Sequence, residues 1–265
     1  MPTNINFDKK LGITRGTEIS LPTGSSFAST NSFTFDGSSD YIDGSATYSE
    51  LNGTTKATWS YWVKPTLGTV MVLSRVSSST STSAFVYMFY LFTTGEIGAA
   101  IGDTTRRART GSNVLTNNVW SHILVCYDGT LSNGSKTKIF INGVDSTDSD
   151  STTATSLVNA NYPLSIGRRD QTPTYYYDGF MDELAMWSST DFRNQSDVDT
   201  IYNGGVPNDL NNNSLTAPTT WYRMGEDATY TGREWVLTDQ GSAGINALSN
   251  TLPAPPAQPS TDVPT

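Results

Sequence analysis

Short runs of alternating apolar and polar side chains, separated by clusters of Gly, Asp, Asn and Ser, recur along most of this chain. The pattern predicts many short strands joined by turns. Ser32-Phe33-Thr34-Phe35 leads through Asp36-Gly37-Ser38-Ser39 into Asp40-Tyr41-Ile42-Asp43, a strand, turn and strand. Residues 57–64 alternate, with Trp59, Tyr61 and Val63 on one face and Thr58, Ser60, Trp62 and Lys64 on the other, which predicts a half-buried strand ending at Pro65. Residues 84–92 are apolar on both faces, so they form either a doubly covered strand or one whose outer face meets another chain. Strands are expected over 120–127, 138–145, 163–167 and 221–226, and Asn142-Gly143 predicts a type I′ hairpin turn because both positions need positive φ. One helix is expected over 196–203, with Ser196 as N-cap, Asp197 and Asp199 in the first turn and Gly204 at the exit. Residues 236–244 read as an ordered Gly-rich loop.

From Phe180 onward both alternating sets, Phe180, Asp182, Leu184, Met186 and Met181, Glu183, Ala185, Trp187, are mostly apolar, which suits a central strand covered on both faces. Long amphipathic helical patterns are missing. The fold class is therefore all-β, two antiparallel sheets packed face to face with one short helix. The organisation expected is a polar N-terminal arm over 1–31, a single domain over 32–249, and an extended, irregular Pro-rich tail over 250–265.

Composition narrows the partners. Only 15% of the 265 residues are charged, and the net charge of -9 argues against nucleic acid, which demands clustered Lys and Arg. An anionic membrane surface is disfavoured for the same reason, and no apolar run is long enough to span a bilayer. Cys126 is the single cysteine, so no internal disulfide forms. The start, Met1-Pro2-Thr3-Asn4-Ile5-Asn6-Phe7-Asp8, has no basic region followed by an apolar run, so the expectation is a product made in the cytosol without a secretory signal.

The residue to explain is Asp182, a carboxylate among large apolar side chains on its own strand face. It is either a calcium ligand or a carboxylate satisfied by neighbouring loop amides. Asp182 and Glu183 are adjacent, so in a regular strand they point to opposite faces and cannot form the carboxylate pair of a glycoside hydrolase. Glu50, Glu96, Glu183, Glu226 and Glu234 are too scattered to nominate another pair. His122 and Cys126 lie on one strand face and read as core residues. Arg106, Arg107 and Arg109 form the one basic cluster of an acidic chain, which either holds a sulfated or uronic sugar, pairs with an acidic neighbouring subunit, or guards an edge strand by charge. Tyr175, Tyr176 and Tyr177 either stack on sugar rings or pack over the sheet end.

Phe35-Asp36-Gly37 with Asp40-Tyr41-Ile42, then Trp59-Ser60-Tyr61-Trp62-Val63-Lys64-Pro65, Trp120-Ser121-His122-Ile123, Ile139-Phe140-Ile141-Asn142-Gly143 and Gly179-Phe180-Met181-Asp182-Glu183-Leu184 resemble the laminin G-like jelly rolls of the concanavalin A-like lectin and glucanase superfamily. The aromatic strand at Trp221 and the Gly-rich loop after it come last rather than first, which suggests a circular permutation or else the start of a truncated second repeat, the former favoured. This order and the Pro-rich tail are similar to laminin G-like virion proteins of tailed phages. The resemblance implies a structural calcium site at Asp182, with Asp36 and Glu226 as further candidate ligands. It also implies a non-catalytic interaction module on a virion surface, oligomeric or bound to other assembly subunits through arm and tail, with weak glycan adhesion. The alternatives are a free-standing calcium-dependent lectin and, behind it, a glycoside hydrolase.

Overall fold

The computed structural model describes residues 27–76, 85–102, 107–169 and 175–265. The strands begin with β1 (Phe33–Asp36), β2 (Ile42–Gly44), β3 (Lys56–Pro65), β4 (Val70–Val76), β5 (Phe85–Leu91) and β6 (Ile97–Ile101). They continue with β7 (Arg107–Thr110), β8 (Ser121–Asp128), β9 (Thr137–Ile141), β10 (Val144–Asp145), β11 (Thr147–Asp150), β12 (Ser165–Ile166) and β13 (Asp178–Ser188). After helix α1 (Gln195–Tyr202) come β14 (Thr220–Tyr222), β15 (Ala228–Tyr230), β16 (Trp235–Leu237) and β17 (Ala247–Ser249). Most of the arm, through residue 26, lies outside the described residues, as do Ala84 and Arg106.

The strands form a jelly-roll sandwich. A seven-stranded sheet runs β1-β13-β3-β8-β9-β10, with β14 also on β13, and a ten-stranded sheet runs β11-β7-β6-β5-β4-β12-β2-β17-β16-β15. The C-terminal strands enter both sheets: β14 borders β13 and β17 borders β2. Between the sheets the inward residues of β3 and β5 mesh, with the Trp59 ring 5.0 Å from Tyr87 and 5.1 Å from Phe89. Such aromatic pairs add to the burial of their large apolar area.

The outer face of the seven-stranded sheet is covered as well. Val198 and Ile201 of α1 pack with Leu210 and Phe192 on Leu124, Cys126, Phe140 and Trp187. Strand β3 is therefore buried on both faces rather than half-buried, because polar Thr58 and Ser60 sit under this cover and find partners there. The N-cap falls two residues earlier than expected: it is Asn194, its side chain makes no cap bond, and Ser196 lies inside the first turn. The hairpin forms at Asn142 (φ 49°) and Gly143 (φ 80°). The expected loop over 236–244 instead contains part of β16, paired with β15 and β17. The tail does not trail away: residue 260 pairs with Ser32 at the open side of β1.

Candidate functional site

Strand β13 is bordered on one side by two strands laid end to end. Strand β1 pairs with its first part, Phe33 opposite Met181, and β14 with its second, Tyr222 opposite Leu184. Asp182 and Glu183 lie in the gap between them. On the other side the register with β3 slips between Asp182 and Ala185, and Glu183 takes a left-handed conformation at φ 49°. This bulge undoes the alternation on which the opposite-face reading rested, because an inserted residue re-aims the side chain after it. Asp182, Glu183 and Glu226 each bring an oxygen into one cluster, all within 4.8 Å of one another.

The gap is filled by residues 27–31 and by Arg223. The Ser29 hydroxyl donates to Asp182 Oδ2 at 2.6 Å, and the Glu183 amide to Asp182 Oδ1 at 2.8 Å. The amides of Thr30 and Asn31 both donate to Glu226 Oε1, the latter at 3.0 Å. Trp221 Nε1 donates to Glu183 Oε2 at 2.7 Å and Arg223 Nε to Glu183 Oε1 at 3.3 Å. Arg223 also donates to the Ala28 carbonyl at 2.6 Å and lies 4.3 Å over the Phe27 ring. Burial, then the charge of Glu183, pushes the Asp182 carboxyl well above its ordinary range. Burial raises Glu183 to about 8 despite the opposing pull of Arg223. Of the three clustered carboxylates Glu183 and Glu226 pair with the Arg223 guanidinium, and Glu226 Oε2 has no hydrogen-bond partner. Protons or a hard cation must supply the missing positive charge, and an all-oxygen donor set with a free carboxylate oxygen fits the latter.

Of the other predicted ligands, Asp36 does not join the cluster. It faces Asp178 across β1 and β13, four residues from Asp182, roughly 13 Å at about 3.3 Å per residue. Its carboxylate closes its own turn, accepting the amides of Ser38, Ser39 and Asp40 at 2.9, 2.7 and 3.0 Å. Burial works against its charged form, but these bonds more than offset it and hold the group well below the usual carboxylate range. Glu183, which no strand alternation could place beside Asp182, is the member of the acidic cluster that sequence reasoning passed over. Its only signal was a second acid next to the first in an apolar run.

The tyrosines divide. Tyr177 is fully buried, packs edge-on against Phe35 at 5.7 Å and donates to the Phe180 carbonyl, so it belongs to the core. Tyr175 is exposed, and its carbonyl accepts the Met71 amide beside the ten-stranded sheet. Arg107 and Arg109 lie on the outer face of that sheet, in register with Ala100 and Gly98. Arg107 stands 5.1 Å over the Tyr90 ring and Arg109 4.9 Å over Phe92, whose rings stack at 6.0 Å. Further across the same face Arg168 lies 3.4 Å over Tyr41 and bonds Asp43 at 2.7 Å, while Arg109 bonds Glu96 at 2.6 Å. Burial raises the Tyr90 hydroxyl, against the opposing pull of Arg107 and Arg169.

His122 and Cys126 are core residues. The imidazole Nε2 is hydrogen-bonded to Ser60 Oγ at 2.8 Å beneath the rings of Trp62 and Tyr202. Burial lowers it to about 3, so it stays neutral, and burial likewise pushes the Cys126 thiol upward. No substrate reaches either, with His122 only 1% exposed and Cys126 0%. Among the described residues no helix is long and apolar enough to cross a membrane.

Two antiparallel sheets in a jelly roll, acids sealed at one edge and arginine-capped rings on an open face, define a lectin-like β-sandwich. The chain belongs to the laminin G-like family described as the concanavalin A-like lectin/glucanases superfamily, whose pattern matches residues 36–198. No curated protein matches the sequence. Among solved structures it is similar to the heptameric SAP-like pentraxin from Limulus polyphemus, at 15% identity and TM-score 0.53, over 66% of this chain and 82% of the pentraxin. It is also similar to the extracellular region of zebrafish Gpr126/Adgrg6, at 12% identity and TM-score 0.52, over 89% of this chain and 26% of that one. A Ruminococcus gnavus IT-sialidase CBM40 bound to α2,3 sialyllactose aligns at 12% identity and TM-score 0.49, over 64% of this chain and 96% of that one. Likeness at such identities shows the fold alone.

Proposed function

We propose that this chain is a non-catalytic binding module that holds acidic glycans on the outer face of its ten-stranded sheet. The observation that carries the reading is the set of arginine–aromatic stacks at Arg107 on Tyr90, Arg109 on Phe92 and Arg168 on Tyr41, in a chain of net charge -9. A guanidinium already held over a ring loses little freedom when it pairs with a carboxylate or sulfate, and the exposed Tyr175 ring offers apolar contact to a sugar face. A hydrolase reading is disfavoured although carboxylate oxygens do lie within 4.8 Å. Asp182 and Glu183 are 0% and 3% exposed beneath residues 27–31, so no glycosidic bond can lie between them.

The test is binding to heparin and to polygalacturonate, with neutral dextran as control, over a salt series. Arg107→Ala/Arg109→Ala is expected to weaken acidic-glycan binding at least about tenfold, or ~1.4 kcal/mol. Equal binding of dextran, or no effect of the double substitution, overturns the reading.

Structural calcium at Asp182, Glu183 and Glu226 is part of the same proposal, since the unpartnered Glu226 Oε2 suits a hard cation. Calcium would neutralise the carboxylates and fix residues 27–31 in the gap. Titration calorimetry with calcium, and thermal unfolding with and without chelator, check it; no heat and no shift remove it. Location on a virion surface rests on the sequence resemblance alone, and mass spectrometry of purified particles tests it.

A further inference from the structure

We infer that the C-terminal segment 258–262 docks on a second copy of this chain as well as on its own, joining two copies by exchange. The receiving edge is the open side of β1. Ser32 and Ser260 exchange both backbone hydrogen bonds, each 2.9 Å, as a true antiparallel pair does. Two residues along, the Gln258 side chain takes the place of a backbone partner for Thr34: its Oε1 accepts the Thr34 amide at 3.3 Å and its Nε2 donates to the Thr34 carbonyl at 2.7 Å. Asp262 closes the contact. Its carboxylate takes Trp120 Nε1 at 2.8 Å and the Lys64 ammonium, and its carbonyl accepts the Ser32 hydroxyl at 2.6 Å. Lys64 in turn stands over Phe180, which is flanked by Trp120. The segment thus completes a sheet edge that would otherwise present unpaired amides and carbonyls.

The connection to this segment is built differently. Residues 253–257, Pro-Ala-Pro-Pro-Ala, are all exposed, and docking at home folds them through a turn closed by the Ala257 amide on the Ala254 carbonyl at 3.1 Å. Their composition favours the extended polyproline form, about 3.1 Å per residue, over that turn. Once extended, the linker carries 258–262 away from its own β1 and into reach of another. Every contact is then remade without change, because the donor and acceptor groups are identical in both copies. Exchange of an identical element through an exposed hinge costs little free energy and joins subunits.

The test uses the cysteine variants Ser32→Cys and Ser260→Cys in a Cys126→Ala background. A hydrogen-bonded antiparallel pair lies within disulfide range. Each single variant alone, mixed with the other under mild oxidation, is expected to yield a covalent heterodimer of the two chains. The yield should rise with protein concentration and fall when Asp262→Ala and Gln258→Ala are added to the Ser260→Cys chain. The inference is overturned if no heterodimer forms while the double-cysteine chain closes only within itself. It is equally overturned if the double-cysteine chain closes neither way, since the tail would then not occupy β1 at all.

Discussion

The gap beside β13 and the outer face of the ten-stranded sheet use the same residue types, carboxylates, arginines and aromatic rings, at different depths. In the gap Asp182, Glu183 and Glu226 cluster, the two glutamates pair with Arg223, and residues 27–31 roof the group. On the sheet face Arg107, Arg109 and Arg168 lie over aromatic rings, and Arg109 and Arg168 also pair with Glu96 and Asp43. Solvent access decides what each can do. Buried charge must be neutralised internally, so the gap is tied to the fold, whereas the Arg109 side chain, 42% exposed, keeps part of its guanidinium in solvent.

The comparison breaks most readily at Arg223. At about pH 9, above the raised value of Glu183, Arg223→Ala leaves Glu183 and Glu226 without their guanidinium, and a loss of about 3 kcal/mol is expected in urea unfolding, with acidic-glycan binding of the folded fraction unchanged. A loss below ~1 kcal/mol would mean that protons or an ion already neutralise the site.

Next in size is a dependence on pH. Burial raises both Asp182 and Glu183, the latter to about 8, above unfolded values near 4. The folded state therefore binds more protons, and the stability from the protonated groups is full below about pH 4 and is lost as pH rises toward 8. Measured in chelator, the parent's unfolding free energy should fall by at least ~1.4 kcal/mol more across that window than that of Glu183→Gln, a difference that removes the opposite contribution of His122, which burial holds neutral. Glu183→Gln should flatten the fall, and saturating calcium should do so only if the site binds it.

A smaller effect is expected at the tail. Gln258→Ala removes both side-chain bonds to Thr34 and should cost about 1 kcal/mol, read from the unfolding midpoint. The smallest is on the open face, where Arg107→Ala should shift stability by no more than ~0.5 kcal/mol while weakening glycan binding. A large stability loss there would make the arginine stacks structural and erase the contrast.

The jelly roll was legible because β3, β8 and β13 carry alternating or doubly apolar runs, and Asn142-Gly143 marks its hairpin unambiguously. Strand β4 was missed because its run Val70–Val76 holds Arg75, which reads as a surface residue yet is fully buried with bonds to the Ala160 and Tyr162 carbonyls. Asp182 stood out through its apolar neighbours, and Glu226 joined it, but the bulge that turns Glu183 inward is a tertiary feature with no local mark. Asp36 was misjudged because Asp-Gly-Ser-Ser satisfies its carboxylate within the turn. The arginine stacks formed only when pairing of β5, β6 and β7 set residues 90, 92, 107 and 109 side by side.

The most direct test is heparin binding by three proteins side by side: the parent chain, Arg107→Ala/Arg109→Ala, and Asp182→Asn. The account predicts that the arginine pair variant loses affinity at least about tenfold with its melting point unchanged, while Asp182→Asn keeps full affinity. Retained binding in the arginine variant, with binding lost in a folded Asp182→Asn protein, would contradict it and move the ligand site to the buried acids.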